Sequence, residues 1–445
     1  MVEQADNNQK IVYAYNDRGQ IISIATTPVS ASAPPASTVS YTYDLNGNMT
    51  SRTIGSDTTT YTYDADNELT SMTTGDGKLT QFAYDADGNR TDTWWHTNAA
   101  NTTFAAHTHN TYDTSNRITQ SWTSEQSDSD KVENNSYSYS LNGKDTGLIQ
   151  SITNNLASSN NVTTLGYDSQ NRLISATNWN GQNYTYTYDI DGNRTTTVTG
   201  GKTTQSLTFN TANEISSSGY TYDAAGRRTK DPSGGTITYN SAGQAISQTT
   251  SSGTDTMTYA GAGQDELIQQ NAGTNNDETY IYGRSDQSGA PTLESSSDVG
   301  GNTYITDNDA AGEPIDIRAV GTGIDLYYAY DGLGRLGAEI SDSSGTVATF
   351  ATGQWDPYGA GSLQPGGSAA AKKTASTFSS KAGMTASAAS SSESPWTTQG
   401  IQSYADSQWY KTFIHLAMPI AGRWGLPQVW LILGVDGSQA ASAAA

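Results

Sequence analysis

Aromatic and polar residues alternate with a period of two over short runs, and each run ends on an Asp or Asn turn. In Tyr61-Thr-Tyr63 the two rings sit at i and i+2, so both lie on one face of an extended strand while Thr62 takes the other. Thr and Tyr both favour strands. The pattern then recurs: the anchor residue falls at Tyr43, Tyr63, Tyr84, Tyr112, Tyr139, Tyr167, Tyr188 and Phe209, with steps of 20, 21, 28, 27, 28, 21 and 21 residues. Each step is the length of two strands and two turns. Further copies stand at Tyr222 and Tyr330, and weaker ones begin at Tyr13, Thr238 and Thr258.

The turns can be read residue by residue. Asp44, Asp64, Asp85, Asp113, Asp168, Asp189, Asp223 and Asp331 follow the anchor tyrosines. A carboxylate there can accept hydrogen bonds from backbone amides ahead of it. Three residues later Gly47, Gly88, Gly192, Gly226 and Gly334 supply the positive φ of a type I turn closed by a bulge. Asn67, Asn116 and Asn171 take that place in other copies, Asn being the next most tolerant of it. Each unit is therefore expected to be a β-hairpin. One hairpin is marginal in water, so the units must extend one another edge to edge.

These residues, Tyr-Asp-x-x-Gly followed by Asn or Arg at 20 to 28 residue pitch, resemble the YD repeat of the Rhs proteins, bacterial wall-associated toxins, insecticidal toxin complexes and teneurins. The likeness runs from about Tyr13 to Tyr358. It implies an all-β fold, an antiparallel sheet of YD hairpins that spirals into part of a shell, and a non-enzymatic scaffold that encloses a polypeptide cargo in toxin delivery or at a cell surface. It also implies secretion or surface display. The segment Tyr328 to Gly359 resembles the start of the Rhs-associated core, with Asp356-Pro357-Tyr358-Gly359 as its landmark.

The organisation expected is a partial first repeat over 1–25, a Pro/Ser/Ala loop over 26–38 and the repeat array over 39–326. A core-like segment over 327–359, an Ala/Ser/Gly linker over 360–395 and an altered core remnant over 396–445 follow. The remnant keeps Gln399-Gly400, Trp409-Tyr410, Pro419 and Gly422-Arg423-Trp424, but reads KTFIHLAMPIA between them. The family's Asp-Pro-x-Gly-Leu cleavage motif is missing, so its self-cleaving chemistry is not carried over to Asp356. A frame-shifted core, and a start inside a repeat as of a fragment, are the expectations here. A decayed gene product is the alternative.

Composition narrows the partners. The 445 residues carry 44 Asp+Glu against 22 Lys+Arg, a net charge of −22. That argues against nucleic acid, which needs a basic face. It also opposes the self-association that exposed sheet edges would favour. Leu, Ile, Val and Phe make up only about 14% of the chain, so apolar burial has to come from the 27 Tyr. Cys is absent, which removes disulfides and thiolate metal sites. No basic-then-apolar leader is visible. The apolar run Thr412 to Gly434 carries His415, Arg423, Pro419 and Pro427, which argues against a membrane span.

Candidate chemistry is sparse. Asp85 to Asn89 and Asp189 to Asn193 imitate a calcium loop, but the Gly and Glu that such a loop needs are Arg90 and His96, or Arg194 and Gly200. Hairpin turns account for them. His107 and His109 project from one strand face, and His96 with Asp113 are the residues considered to complete a metal site; nothing in the spacing fixes that convergence, so neither a metal nor a cofactor is expected. Trp94 and Trp95 could stack on sugar rings, which keeps a carbohydrate-binding adhesin as the rival reading.

Overall fold

The computed structural model describes residues 2–5, 9–29, 35–159, 161–251, 253–260, 266–286, 289–359 and 361–365. The linker after 365, the altered core remnant and the apolar run from Thr412 lie outside them. Among the described residues every regular element is a β-strand, and no helix is long and apolar enough to cross a membrane.

The strands form two long antiparallel meanders. The first holds eighteen strands, from Val2–Ala5 to Lys202–Ser206, and the second fourteen, from Thr221–Tyr222 to Gly361–Pro365. Each strand pairs with the one before and after it in the chain: Ser37–Tyr43 with Met49–Ile54, that with Asp57–Tyr63, that with Leu69–Thr73, and so on. A small extra hairpin, Ser140–Leu141 with Lys144–Asp145, stands beside the first meander. Neither sheet closes into a barrel. One difference from the sequence reading concerns the segment 26–38. Ladder pairing runs into it from both sides, with Thr26 opposite Ser37 and Ala25 opposite Thr38, because β-branched Thr26, Thr27 and Thr38 carry strand geometry. The strand Ile21–Pro28 thus takes up part of what reads as loop.

The period of two decides which face is buried. In Asp57–Tyr63, Thr59 and Tyr61 point into the molecule while Thr60 and Thr62 are exposed. Tyr41, Met49, Tyr61, Leu69, Met72, Phe82 and Trp95 continue that inner face from hairpin to hairpin. On the outer face threonines form cross-strand ladders: Thr62 Oγ1 lies 2.6 Å from Ser71 Oγ, and Thr187 Oγ1 2.6 Å from Thr196 Oγ1.

The second sheet seats against this inner face. Its strand Ile324–Tyr330 directs Tyr327 and Ala329 into the core shared with the first sheet, and Leu326 and Tyr328 into a core of its own with Tyr280, Leu293 and Ile317. Pro314–Ala319 is buried at every position. Each fully buried Met72 or Ile340 contributes about 1.5–3 kcal/mol before conformational entropy is counted. Polar residues are accommodated at this interface: Arg52, Asp307 and Arg318 are paired there, while Glu339 Oε2 is buried without a hydrogen-bond partner.

Candidate functional site

Three arrangements carry the chemistry of this molecule. The first is the repeated turn. The Asp64 amide donates to the Glu68 carbonyl (3.1 Å), the Asn67 amide donates to the Asp64 carbonyl (3.3 Å), and Asp64 Oδ1 accepts from the amides of Asp66 (2.9 Å) and Glu68 (3.0 Å). The fourth residue takes positive φ, 65° at Asn67, 97° at Gly47, 79° at Gly88, 58° at Asn116, 61° at Asn171, 93° at Gly192, 76° at Gly226 and 73° at Gly334. Behind each turn the ladder slips by one residue, as between Thr62 and Tyr63. Asp44, Asp85, Asp113, Asp168, Asp189, Asp223 and Asp331 hold their turns in the same way.

The anchor tyrosines reach out of their own hairpins. Tyr43 OH donates to the Ile21 carbonyl (2.7 Å), Tyr63 to Met49 (2.8 Å), Tyr112 to Arg90 (2.8 Å), Tyr139 to Ile118 (3.0 Å), Tyr167 to Ile149 (2.8 Å), Tyr188 to Leu173 (2.6 Å) and Tyr330 to Pro314 (3.1 Å). Most of these acceptors open the return strand of the preceding unit. Tyr222 OH instead accepts from the Ile215 amide, and Tyr84 lies against Arg90. Arg117 and Arg172, which follow their turns, stack on the next anchor rings, Arg117 over Tyr139 at 4.1 Å and Arg172 over Tyr188 at 4.6 Å, whereas Arg335 lies over Trp179. One ring is thus held between the cation and the carbonyl of consecutive residues.

The second arrangement is an ionic seam between the sheets. Arg52, fully buried, contacts Asp307 Oδ1 (2.5 Å), Glu294 Oε2 (3.2 Å) and Thr59 Oγ1 (2.8 Å). Arg318 Nε reaches Asp307 Oδ2 (2.5 Å), and its two terminal nitrogens fork onto Asp57 (2.8 and 3.0 Å). Burial alone would raise the Asp307 carboxyl, but the two guanidiniums hold it below its usual range. Lys78 bridges Asp325 and Asp342, and Asp342 also meets His96 Nδ1 (2.5 Å) and Tyr327 OH (3.1 Å). Burial pushes Asp325 up to about 6 despite Lys78, while Asp342 is held low by His96 and Lys78 against burial. Glu339, buried, is pushed up to about 8. Arg52, Arg318 and Lys78 are locked with their carboxylates between packed strands, where charge pairing ties the two sheets together.

The third is a cluster on the face of the first sheet turned away from the second. His109 sits directly across from Asp92, and His107 across from Trp94. Asp92 Oδ1 lies 2.9 Å from His107 Nε2 and 2.6 Å from His109 Nδ1, and Asp128 Oδ1 lies 2.7 Å from His107 Nδ1. Trp94 stacks on His107 at 4.6 Å, and Trp122 meets the same ring edge-on at 4.9 Å. Burial would raise the Asp92 carboxyl, but hydrogen bonds to the two imidazoles and Thr91 hold it well below the usual range, as a carboxylate.

Several residues singled out in the sequence stand elsewhere than expected. His96 and Asp113 do not join His107 and His109: His96 pairs with Asp342 across the seam, and Asp113 holds its turn and Arg117. The third member is Asp92, which the register of two adjacent strands brings in. Trp95 is 3% exposed and donates its indole N–H to the Ile315 carbonyl (3.1 Å), so it is a core residue and not a sugar platform. The Trp94 face is occupied by His107. Nothing in the sequence pattern announces the seam except Arg52, a cation at an inward strand position.

The sequence profile of the Teneurin YD-shell matches residues 1–88 and 93–299. Among solved structures, the chain resembles a Photorhabdus luminescens Tc holotoxin pore carrying a TccC3 point mutation, at 18% identity and a TM-score of 0.59, covering 80% of this chain and 20% of that one. It is similarly related to TcdB2-TccC3-Cdc42 (17% identity, TM-score 0.58, 80% and 20% covered). TcdB2-TccC3 without its hypervariable C-terminal region gives 17% identity, TM-score 0.59 and the same coverage. The chain therefore spans about one fifth of the length of these structures. No curated protein matches it. With most of its length under that profile and the tyrosine-latched hairpins on the same fold, the chain belongs to the Teneurin YD-shell family.

Proposed function

We propose that this chain is a non-catalytic wall segment of a YD shell, secreted or displayed at a cell surface, that surrounds a polypeptide cargo in toxin delivery. The observation that carries the reading is the latch: seven of the anchor tyrosines tie their hairpins to the preceding ones, so the sheet extends as one cooperative wall instead of a string of hairpins. The membership of the family and the fold shared with Tc toxin structures support it. The repetition of carboxylates in every turn fits a structural role, since a catalytic pair is set apart from its neighbours by its surroundings.

The test is enclosure. An unfolded reporter peptide is fused to the chain and challenged with protease, with light scattering and small-angle scattering on the same sample. Protection of the reporter together with a hollow scattering profile is the expected outcome. A reporter digested as fast as the free peptide, on a compact folded wall, removes the container role and leaves only the family fold.

A further inference from the structure

We infer that Asp92, His107 and His109 form a binding site for a divalent transition ion of the zinc class on the outer face of the sheet. The ligand atoms Asp92 Oδ1, His107 Nε2 and His109 Nδ1 all lie within 4.8 Å of one another. Two imidazole nitrogens and a carboxylate oxygen are the donors zinc prefers, at roughly 2.0–2.2 Å, which in a tetrahedron separates ligand atoms by about 3.3 Å. Opening the present 2.6 and 2.9 Å contacts to that separation takes side-chain adjustment of less than about one ångström.

A second observation points the same way. Both ring nitrogens of His107 face carboxylates, Nε2 toward Asp92 and Nδ1 toward Asp128. A ligating histidine donates its other N–H to a carboxylate, which fixes the tautomer and aims the lone pair at the ion. Asp128 stands where that partner belongs. Trp94, Phe104 and Trp122 enclose the His107 ring, so it is held in place before an ion arrives. The His109 side chain is 31% exposed, which leaves an entry path and a fourth position for water or an external ligand.

The site is a cross-strand staple. Asp92 comes from Arg90–Trp95, both histidines from Ala106–Tyr112, and Asp128 from the turn after Ile118–Glu125. An ion would therefore fasten two neighbouring strands, with Asp128 steadying His107 from the next turn, on the face that the second sheet does not cover. The alternative occupant is a proton on each His107 nitrogen, which satisfies the same carboxylates with no metal.

The two are told apart on the full chain after chelator treatment. Zn²⁺ is titrated against a chromogenic chelator, and Co²⁺ is added separately to read ligand geometry from its visible absorption. One Zn²⁺ per chain at micromolar affinity or better, unaffected by excess Ca²⁺ or Mg²⁺, is expected, with tetrahedral Co²⁺ bands. His109→Gln and Asp92→Asn should each weaken binding at least tenfold, Asp128→Asn also weaken it, and His96→Gln leave it unchanged. Circular dichroism keeps folding separate from binding. Absence of stoichiometric uptake by the folded wild type, or wild-type affinity in a folded His107→Gln/His109→Gln double variant, overturns the site in favour of the protonated pair.

Discussion

The hydroxyl of Tyr63 donates to the backbone carbonyl of Met49, 2.8 Å away in the preceding hairpin unit. Because the contact recurs from Tyr43 to Tyr330, it is a joint between units and not a detail of one turn. Tyr63→Phe keeps the ring and deletes the donor, and should lower stability by about 0.5–1.5 kcal/mol. The same change at Tyr188, far along the sheet, should add to it nearly independently. Urea unfolding of the two single variants and the double variant measures this; no loss in any of them means that the hydroxyls are ornamental.

Arg52 is the central cation of the seam, with Asp307 and Glu294 as its partners. Arg52→Ala takes the guanidinium away from buried Glu294 and leaves buried Asp307 with Arg318 as its remaining cation. A loss of about 3–5 kcal/mol is expected, far above the 0–1 kcal/mol typical of an exposed pair. The check is the shift in urea midpoint at constant slope. A loss under about 1 kcal/mol would mean that water reaches the seam.

Gly192 has φ of 93° and open space where a side chain would go, so the strain of replacing it is purely conformational. Gly192→Ala should cost about 1–2 kcal/mol. Asn67, at φ 65°, already tolerates that region, and Asn67→Gly should change stability by only a few tenths of a kcal/mol. Thermal melting of both variants compares them directly. Equal effects would show that the turn does not require positive φ.

Burial pushes the Glu339 carboxyl from 4.5 up to about 8. The sign follows from proton counting. Between those values the folded chain keeps the proton and the unfolded chain has released it, so this group's contribution to stability falls as pH rises. It is fully present below the unfolded value and lost by the folded one. Relative to Glu339→Gln, the wild type should lose a few kcal/mol between about pH 5 and pH 8, because a one-proton difference costs about 1.4 kcal/mol for every pH step of about one. Denaturation midpoints of both proteins across that range give the difference, in which other titrating groups cancel. Parallel curves would place Glu339 in contact with water.

Local physics wrote most of the first sheet into the chain. The alternation in Tyr61-Thr-Tyr63 sets the inner and outer faces, because strand side chains point oppositely every residue. Positive φ at Gly47 or Asn67 closes each hairpin whatever surrounds it. Longer-range packing settled the rest. Arg52 meets Glu294 and Asp307 across 242 and 255 residues of sequence, a separation that periodicity does not encode. Arg318 and Asp325, on strands of the second sheet, look like solvent-facing charges in the sequence, yet they are buried because the first sheet covers those strands and supplies counter-charges, Asp57 to Arg318 and Lys78 to Asp325. Asp92 joins His107 and His109 for a similar reason: residues 96–105 bring the two strands back in the register that opposes Asp92 to His109. Hairpin, turn and inward face follow from residues a few positions apart, whose backbone preferences and alternation act before any distant contact forms. Which hairpins face each other, and so where charges pair and imidazoles converge, depends on two sheets packing and on connecting segments that set their register.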